Sequence, residues 1–409
     1  MKRVVITGMA GISPIGSDWQ TVSENLEAGR TGIRTMTEWE RYVGLNTRLG
    51  APVTDFKKPA HYPRRAVRGM GKIALMATRA SELALDDAGL LNDDSIRDGS
   101  MGVSYGSSAG SPKAIAEFSN MLINDVVDGI NATTYIRMMA HTAPVNIGVF
   151  FGLKGRVITT CSACTSGSQG IGYAYEAIKF GRQTLMLGGG AEELCPTEAA
   201  VFDTLYATSI TNDAPESTPR PFDSGRDGLV IGEGAGTLVL EELEHARARG
   251  ARIYGEVVGF ATNSDGAHIT QPTRETMRRV MENSLEDAGL NASDIGYVSA
   301  HGTATDRGDV AESHATHDVF GNRVPISAFK SYTGHTLGAC GALESWVALE
   351  MMNRNRFHHT ANLSRVDPEC AELDYIVGEP RNIDCEYVMS NNFAFGGINT
   401  SLIFRRWPQ

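Results

Sequence analysis

The chain contains no apolar run of 18 or more residues, so no helical membrane span is indicated. It has neither a P-loop nor a dinucleotide-binding fingerprint; GGGAEE at 188–193 is glycine-rich but has neither spacing. Positive charge is scarce. Lys and Arg number 37 against 48 Asp and Glu, a net charge of -11, so bulk attraction to nucleic acid is not expected. The six cysteines, at 161, 164, 195, 340, 370 and 385, form no regular framework. A chain of 409 residues does not need disulfides, so reduced thiols and a cytoplasmic location are expected. The start, MKRVVITGMAGISPIG, reads better as a buried strand breaking into a Gly-rich turn than as a signal peptide.

What is present is α/β alternation. Strand-like runs (VVITGM, MGVSYGS, RVITT, TLMLGGGAE, AGTLVLEE) alternate with helical ones near 70–88, 113–127 and 166–180. A repeat lies over this pattern. ALDDAGLLNDDSI starts at Ala84 and SLEDAGLNASDI at Ser284, and each leads into a strand ending in Gly and hydroxyl residues. The offset is about half the chain, which predicts two similar halves, 1–250 and 251–409. A duplicated α/β protein tends to place its site where the halves meet.

Four segments carry residues suited to chemistry. In TTCSACTSGSQGIG, a strand turns sharply into a helix, placing Cys164 near the helix N-terminus, where free N–H groups favour a thiolate. A thiol pKa lowered by one to several units is expected there, with Cys161 a small buried filler at the strand end. The residues alone leave a nucleophile, an inert core cysteine and a redox or metal role open. No second CxxC exists to complete a zinc site, and His314 and His317 read as a surface pair. In SAHGTATDRGD, His301 follows a strand and precedes a polar Gly loop, with Asp309 and Glu312 at a helix start. In AFKSYTGHTLGACGALE, Lys330 ends a strand and His335 sits in a Gly turn before a helix, repeating the Cys164 layout; Cys340 there reads as packing. In SNNFAFGGINTSLIF, Gly396 and Gly397 sit between aromatics and a final strand, as a gate or a tight turn.

Together these segments resemble the β-ketoacyl-acyl-carrier-protein synthases, elongating condensing enzymes of the thiolase superfamily, from one end of the chain to the other. The resemblance implies a thiolase-like five-layered αβαβα fold built from two duplicated halves. It implies that Cys164 accepts the acyl group and that the N–H groups of Cys164 and Phe395 form the oxyanion hole. His301 and His335 would bind the malonyl thioester and stabilise the enolate, and Lys330 would pair with Glu312 to order the site. Thr303 and Thr305 would contact the phosphopantetheine arm, and Phe393 and Phe395 would lie on a gating loop. No metal or resident cofactor is expected, because phosphopantetheine arrives on the substrate protein. The implied partners are acyl carrier protein, malonyl-acyl-carrier protein and either a second copy or a chain-length-factor-like subunit.

Some residues depart from the usual pattern. FAFGGIN replaces the common FGFGGTN, so Ala394 and Ile398 should stiffen the loop. Ala109 stands where many relatives carry a bulkier acyl-pocket residue, which suggests room for long, rigid or polyunsaturated chains. That favours, as an alternative to fatty acid synthesis, a specialised polyene or type II polyketide pathway. The stretches YATSITND, with Tyr206 and Thr211, and VVDGIN lack the second basic cluster of many relatives. PRRAVRGMGK retains Arg64, Arg65, Arg68 and Lys72 as a candidate carrier-protein patch, although it also reads as a solvated helix start. If the patch docks an acidic carrier, the Arg65→Glu, Arg68→Glu double variant raises the carrier-protein KM; an unchanged KM places docking elsewhere.

Overall fold

The computed structural model describes residues 1–408. The principal elements of the first half are β1 (Val4–Ile12), α1 (Lys72–Asp87), β2 (Met101–Gly106), α2 (Thr142–Phe151), β3 (Val157–Thr160), α3 (Ser166–Lys179), β4 (Leu185–Glu192), α4 (Pro196–Asp203) and β5 (Gly234–Glu242). Those of the second are β6 (Gly255–Ser264), α5 (Arg274–Ala288), β7 (Ile295–Ser299), α6 (Asp306–Phe320), β8 (Pro325–Ser327), α7 (Cys340–Arg354), β9 (Asp374–Tyr375), β10 (Tyr387–Ala394) and β11 (Ile398–Arg406).

The strands run in the order β9-β8-β7-β10-β11-β6-β1-β5-β4-β2-β3. The halves meet where Val4–Ile6 of β1 lie antiparallel to Val257–Gly255 of β6. Outward from this seam the two halves match over five strands, and β9 adds a sixth to the second half. β1-β5-β4 and β6-β11-β10 are antiparallel, and the next two pairings on each side are parallel. Helices α1 and α2 cover one outer face, and α5 with α6 beside it covers the other. Helices α3 and α7 lie between, touching strands of both halves. This is the expected αβαβα layering. Its middle layer is closed to solvent: every residue of α7 from Cys340 to Met352 is buried.

The repeated AG-terminated helices have a physical reason. At the end of α1, Asp87 accepts the Met9 N–H of β1 at 3.0 Å; at the end of α5, Asp287 accepts the Phe260 N–H of β6 at 3.2 Å. Both helices then stop at a glycine with φ of 67°, Gly89 and Gly289. The strands must approach closely for these bonds to form. A Cβ on Gly8 would stand 2.3 Å from the Ala84 carbonyl oxygen, and one on Gly259 would stand 2.4 Å from that of Ser284. The shared motif is therefore a helix end clamped onto a glycine in the strand beside it.

Gly8→Ala and Gly259→Ala should each destabilise the protein by about 1–3 kcal/mol through overpacking. Thermal unfolding checks this; an unchanged Tm for both would mean the helix ends yield freely.

Candidate active site

Cys164 stands where a short 3-10 turn, Ala163–Thr165, leads into α3. Ala163, just before it, holds φ at 50°, a costly conformation for a residue with a Cβ. This sharp turn presents the thiol to His335. Cys164 is buried, and its Sγ lies 2.9 Å from His335 Nε2. The His335 backbone is clamped by its N–H to the Val230 carbonyl at 2.6 Å and its carbonyl to the Gly232 N–H at 2.9 Å. The Leu337 N–H donates to His335 Nδ1 at 3.2 Å. Nδ1 is thus the acceptor, and the neutral ring carries its proton on Nε2, facing Cys164.

His301 is set in the same way by a different partner. The buried Lys330 ammonium lies 3.1 Å from His301 Nδ1, which again leaves the proton on Nε2. The two imidazoles meet edge to face with centroids 5.2 Å apart. Ligand atoms of Cys164, His301 and His335 all lie within 4.8 Å of one another. Burial and then the Lys330 charge hold both histidine pKa values well below the ordinary value, so both rings are neutral donors at neutral pH.

A cavity of about 460 Å³ opens onto these three side chains. Its wall includes Phe202, Thr303, Thr305, Arg307, Phe393 and Phe395. The combination is a buried thiol, two imidazole N–H donors and an open pocket beside them, suited to acyl transfer followed by stabilisation of a carbonyl-derived anion.

The comparisons agree. The β-ketoacyl synthase N-terminal domain matches residues 1–246 and the C-terminal domain residues 254–364. The chain belongs to the β-ketoacyl synthase family. It is 36% identical over 412 residues to 3-oxoacyl-[acyl-carrier-protein] synthase 2 of Synechocystis, covering 99% of this chain and 98% of that one. A β-ketoacyl synthase from Burkholderia phymatum superposes with a TM-score of 0.99 at 61% identity, each chain covered in full. The ishigamide ketosynthase/chain length factor superposes at 0.90 with 32% identity, again over the whole of both chains.

Within this ketosynthase site several expectations need correction. The resting Cys164 thiol is not acidified. Burial pushes its pKa up to about 11, against the pull of Lys330 and of the Phe395 and Cys164 N–H groups. Those two N–H groups lower the thiol pKa but do not outweigh its burial. Lys330 does not pair with Glu312. It donates to Glu344 at 2.5 Å, and the other Glu344 oxygen accepts from Asn392 at 2.6 Å. Glu312 instead accepts the N–H groups of His301 and Gly302, both at 2.7 Å, and burial pushes its pKa up to about 8. It orients the His301 loop rather than neutralising Lys330. Asp309 does similar work on the Ala304 and Phe222 N–H groups.

Thr303 and Thr305 share a hydrogen bond at 2.9 Å on the cavity wall. Phe393 stands edge-on to His301 at 6.0 Å, and Phe395 stacks against Phe202 at 4.7 Å. The segment expected to gate the site is the turn of the β10–β11 hairpin, where Gly396 and Gly397 hold φ of 86° and 70°. Ala394 and Ile398 are the last strand pair flanking that turn rather than loop residues. Cys340 donates to the Cys164 carbonyl at 3.2 Å and packs the base of the nucleophile turn.

Three expected residues stand apart. Ala109 is half-buried and does not line the cavity. Cys161 is exposed, not a buried filler, because β3 is the edge of the sheet. Lys72 is tied to the buried Glu233 at 2.5 Å, so of the proposed patch only Arg64, Arg65 and Arg68 point freely into solvent.

Sequence reasoning passed over Glu344, Asn392 and Glu192. Glu192 accepts the N–H groups of Ser108 and Gly338, tying the loop after β2 to the start of α7, and burial pushes its pKa up to about 7. Glu344 did leave a signal: it is a lone acid amid CGALESWVAL, and a carboxylate inside an apolar helix needs a buried partner.

With a thiol near pKa 11, iodoacetamide labelling of Cys164 should quicken about tenfold per pH unit from pH 7 to 10. A rate that levels off near pH 7 would mean a resting thiolate.

Proposed function

We propose that this ketosynthase condenses an acyl thioester with a malonyl thioester, both delivered on acyl carrier protein, and releases carbon dioxide. The observation that carries this reading is the convergence of two imidazole Nε2–H donors on Cys164. In the first step Cys164 Sγ attacks the acyl carbonyl carbon, and the N–H groups of Cys164 and Phe395 hold the oxyanion. The carrier's pantetheine thiol leaves with the proton that Sγ gives up. In the second step the malonyl thioester carbonyl oxygen sits between His301 and His335 Nε2–H. Breaking the C–C bond to the carboxylate releases carbon dioxide and leaves the electron pair as an enolate. Its carbon attacks the acyl-Cys164 carbonyl, and the cysteine thiolate departs. The product is a 3-oxoacyl thioester two carbons longer. No resident cofactor enters these steps.

The likeness to 3-oxoacyl-[acyl-carrier-protein] synthases supports a place in fatty acid biosynthesis, in the cytoplasm. A second reading, a ketosynthase of a specialised polyene or polyketide pathway, is favoured by the full-length likeness to the ishigamide ketosynthase/chain length factor. Either reading suits assembly through β3, an unpaired sheet edge on which Val157 is 52% exposed. A second copy or a chain-length-factor-like subunit would cover it.

Intact-protein mass after mixing with acyl-carrier proteins should show an acyl adduct that is absent from Cys164→Ala. His301→Ala and His335→Ala should still acylate but lose about 10²–10³-fold in carbon dioxide release from malonyl-carrier protein. Loss of acylation with undiminished decarboxylation in either histidine variant would contradict these roles.

A further inference from the structure

Two guanidinium groups line the cavity that reaches Cys164, and they are in opposite states. Arg226 is spent. Its buried side chain engages Asp367, with Asp309 at 3.7 Å and Asp306 at 3.8 Å. Arg307 is exposed, and among the described residues no carboxylate forms a salt bridge with it. Its neighbour Asp306 is turned towards Arg226. The other acids on this wall are already engaged. Asp227 accepts from Ser209, Thr211 and the Ile210 N–H, and Asp265 accepts from Asn399 and Thr276.

Fold stability does not explain an arginine at this position. Arg307 is the second residue of α6, and the residues three and four further on are Val310 and Ala311, so it has no partner along the helix. A cation in the first turn also opposes the helix dipole. The side chain therefore holds an unspent charge on the wall of the catalytic cavity, on the same loop and helix start as Thr303 and Thr305.

We propose that Arg307 recognises the phosphate ester at the outer end of the pantetheine arm, so that the enzyme prefers phosphorylated to dephosphorylated pantetheine thioesters. This rests on the reaction proposed above. An arm that enters thioester first leaves its phosphate at the solvent-facing part of the cavity, where Arg307 is exposed. A planar guanidinium matches two phosphate oxygens at once, which a point charge does not.

The test uses free acyl-phosphopantetheine and free acyl-pantetheine with the wild-type chain, Arg307→Ala and Arg307→Lys. A charge-assisted contact predicts a wild-type KM about tenfold lower for the phosphorylated thioester. Arg307→Ala should raise that KM to the level of the dephosphorylated one, with the loss confined to KM, and Arg307→Lys should recover part of it. A preference that survives Arg307→Ala, or a wild type without preference, overturns the assignment. Mass detection of acyl-Cys164 in the same samples separates the two readings. An adduct without phosphate preference defeats only the arginine's role, whereas no adduct from any thioester defeats the reaction and this inference with it.

Discussion

The Lys330–Glu344 ion pair is sealed from water, and the catalytic geometry is arranged around it. Each charge loses several kcal/mol of hydration on burial. The 2.5 Å contact offsets this only because the second Glu344 oxygen is also satisfied, by Asn392. Removing either partner would leave a buried charge unpaired, at a cost of roughly 3–5 kcal/mol. A pair this demanding is poor as a source of stability. What it provides is direction. It joins α7, β10 and the turn after β8, and it holds the ammonium against His301 Nδ1. One ring nitrogen thereby becomes an acceptor, and the proton must sit on the other, towards the cavity. His335 reaches the same tautomer through a backbone N–H, at no cost in buried charge.

The nucleophile comes from the first half and both histidines from the second, so the seam between halves must be tight. It is close-packed where α3 and α7 begin. A Cβ on Gly167 would stand 2.8 Å from the Gly338 carbonyl oxygen and 2.9 Å from the Ala342 nitrogen. Backbone therefore meets backbone beside Cys164, and the Cys340 thiol donates into the Cys164 carbonyl from the facing helix. With Glu192 tying the loop after β2 to Gly338, the two helix starts are fixed relative to each other. A thiol on a strained turn can then hold a 2.9 Å contact with a histidine 171 residues away.

Much of this was legible in the sequence because the fold uses each device twice. ALDDAG and SLEDAG look alike because Asp87 and Asp287 each take a strand N–H at the end of a helix. Gly-rich helix starts mark Cys164 and His335 because each residue stands in a tight turn that leads into a middle-layer helix. The partner of Lys330 was not legible. Glu312 and Glu344 both lie within reach in sequence and both are buried, so neither spacing nor burial ranks them; what each carboxylate faces does. Glu312 faces the two backbone N–H groups of its own loop, while Glu344 faces inward from a helix buried on every side. The exposure of Cys161 was hidden because edge and central strands of a parallel sheet read alike until their order is known.

The raised thiol pKa and the neutral histidines follow from the same dry environment, and they act in opposite directions on the two half-reactions. Desolvation disfavours the Cys164 thiolate, so the resting nucleophile is weaker than an exposed thiol. It also strengthens each Nε2–H donor towards an oxygen that gains charge only during decarboxylation. An enolate exposed to water would be protonated before it met the acyl group, and the carbon–carbon bond would be lost. Acyl transfer between thiols is nearly balanced and tolerates a reluctant thiolate; carbon–carbon bond formation does not tolerate water. Burial favours the harder step, and the N–H groups of Cys164 and Phe395 return part of what the easier one loses.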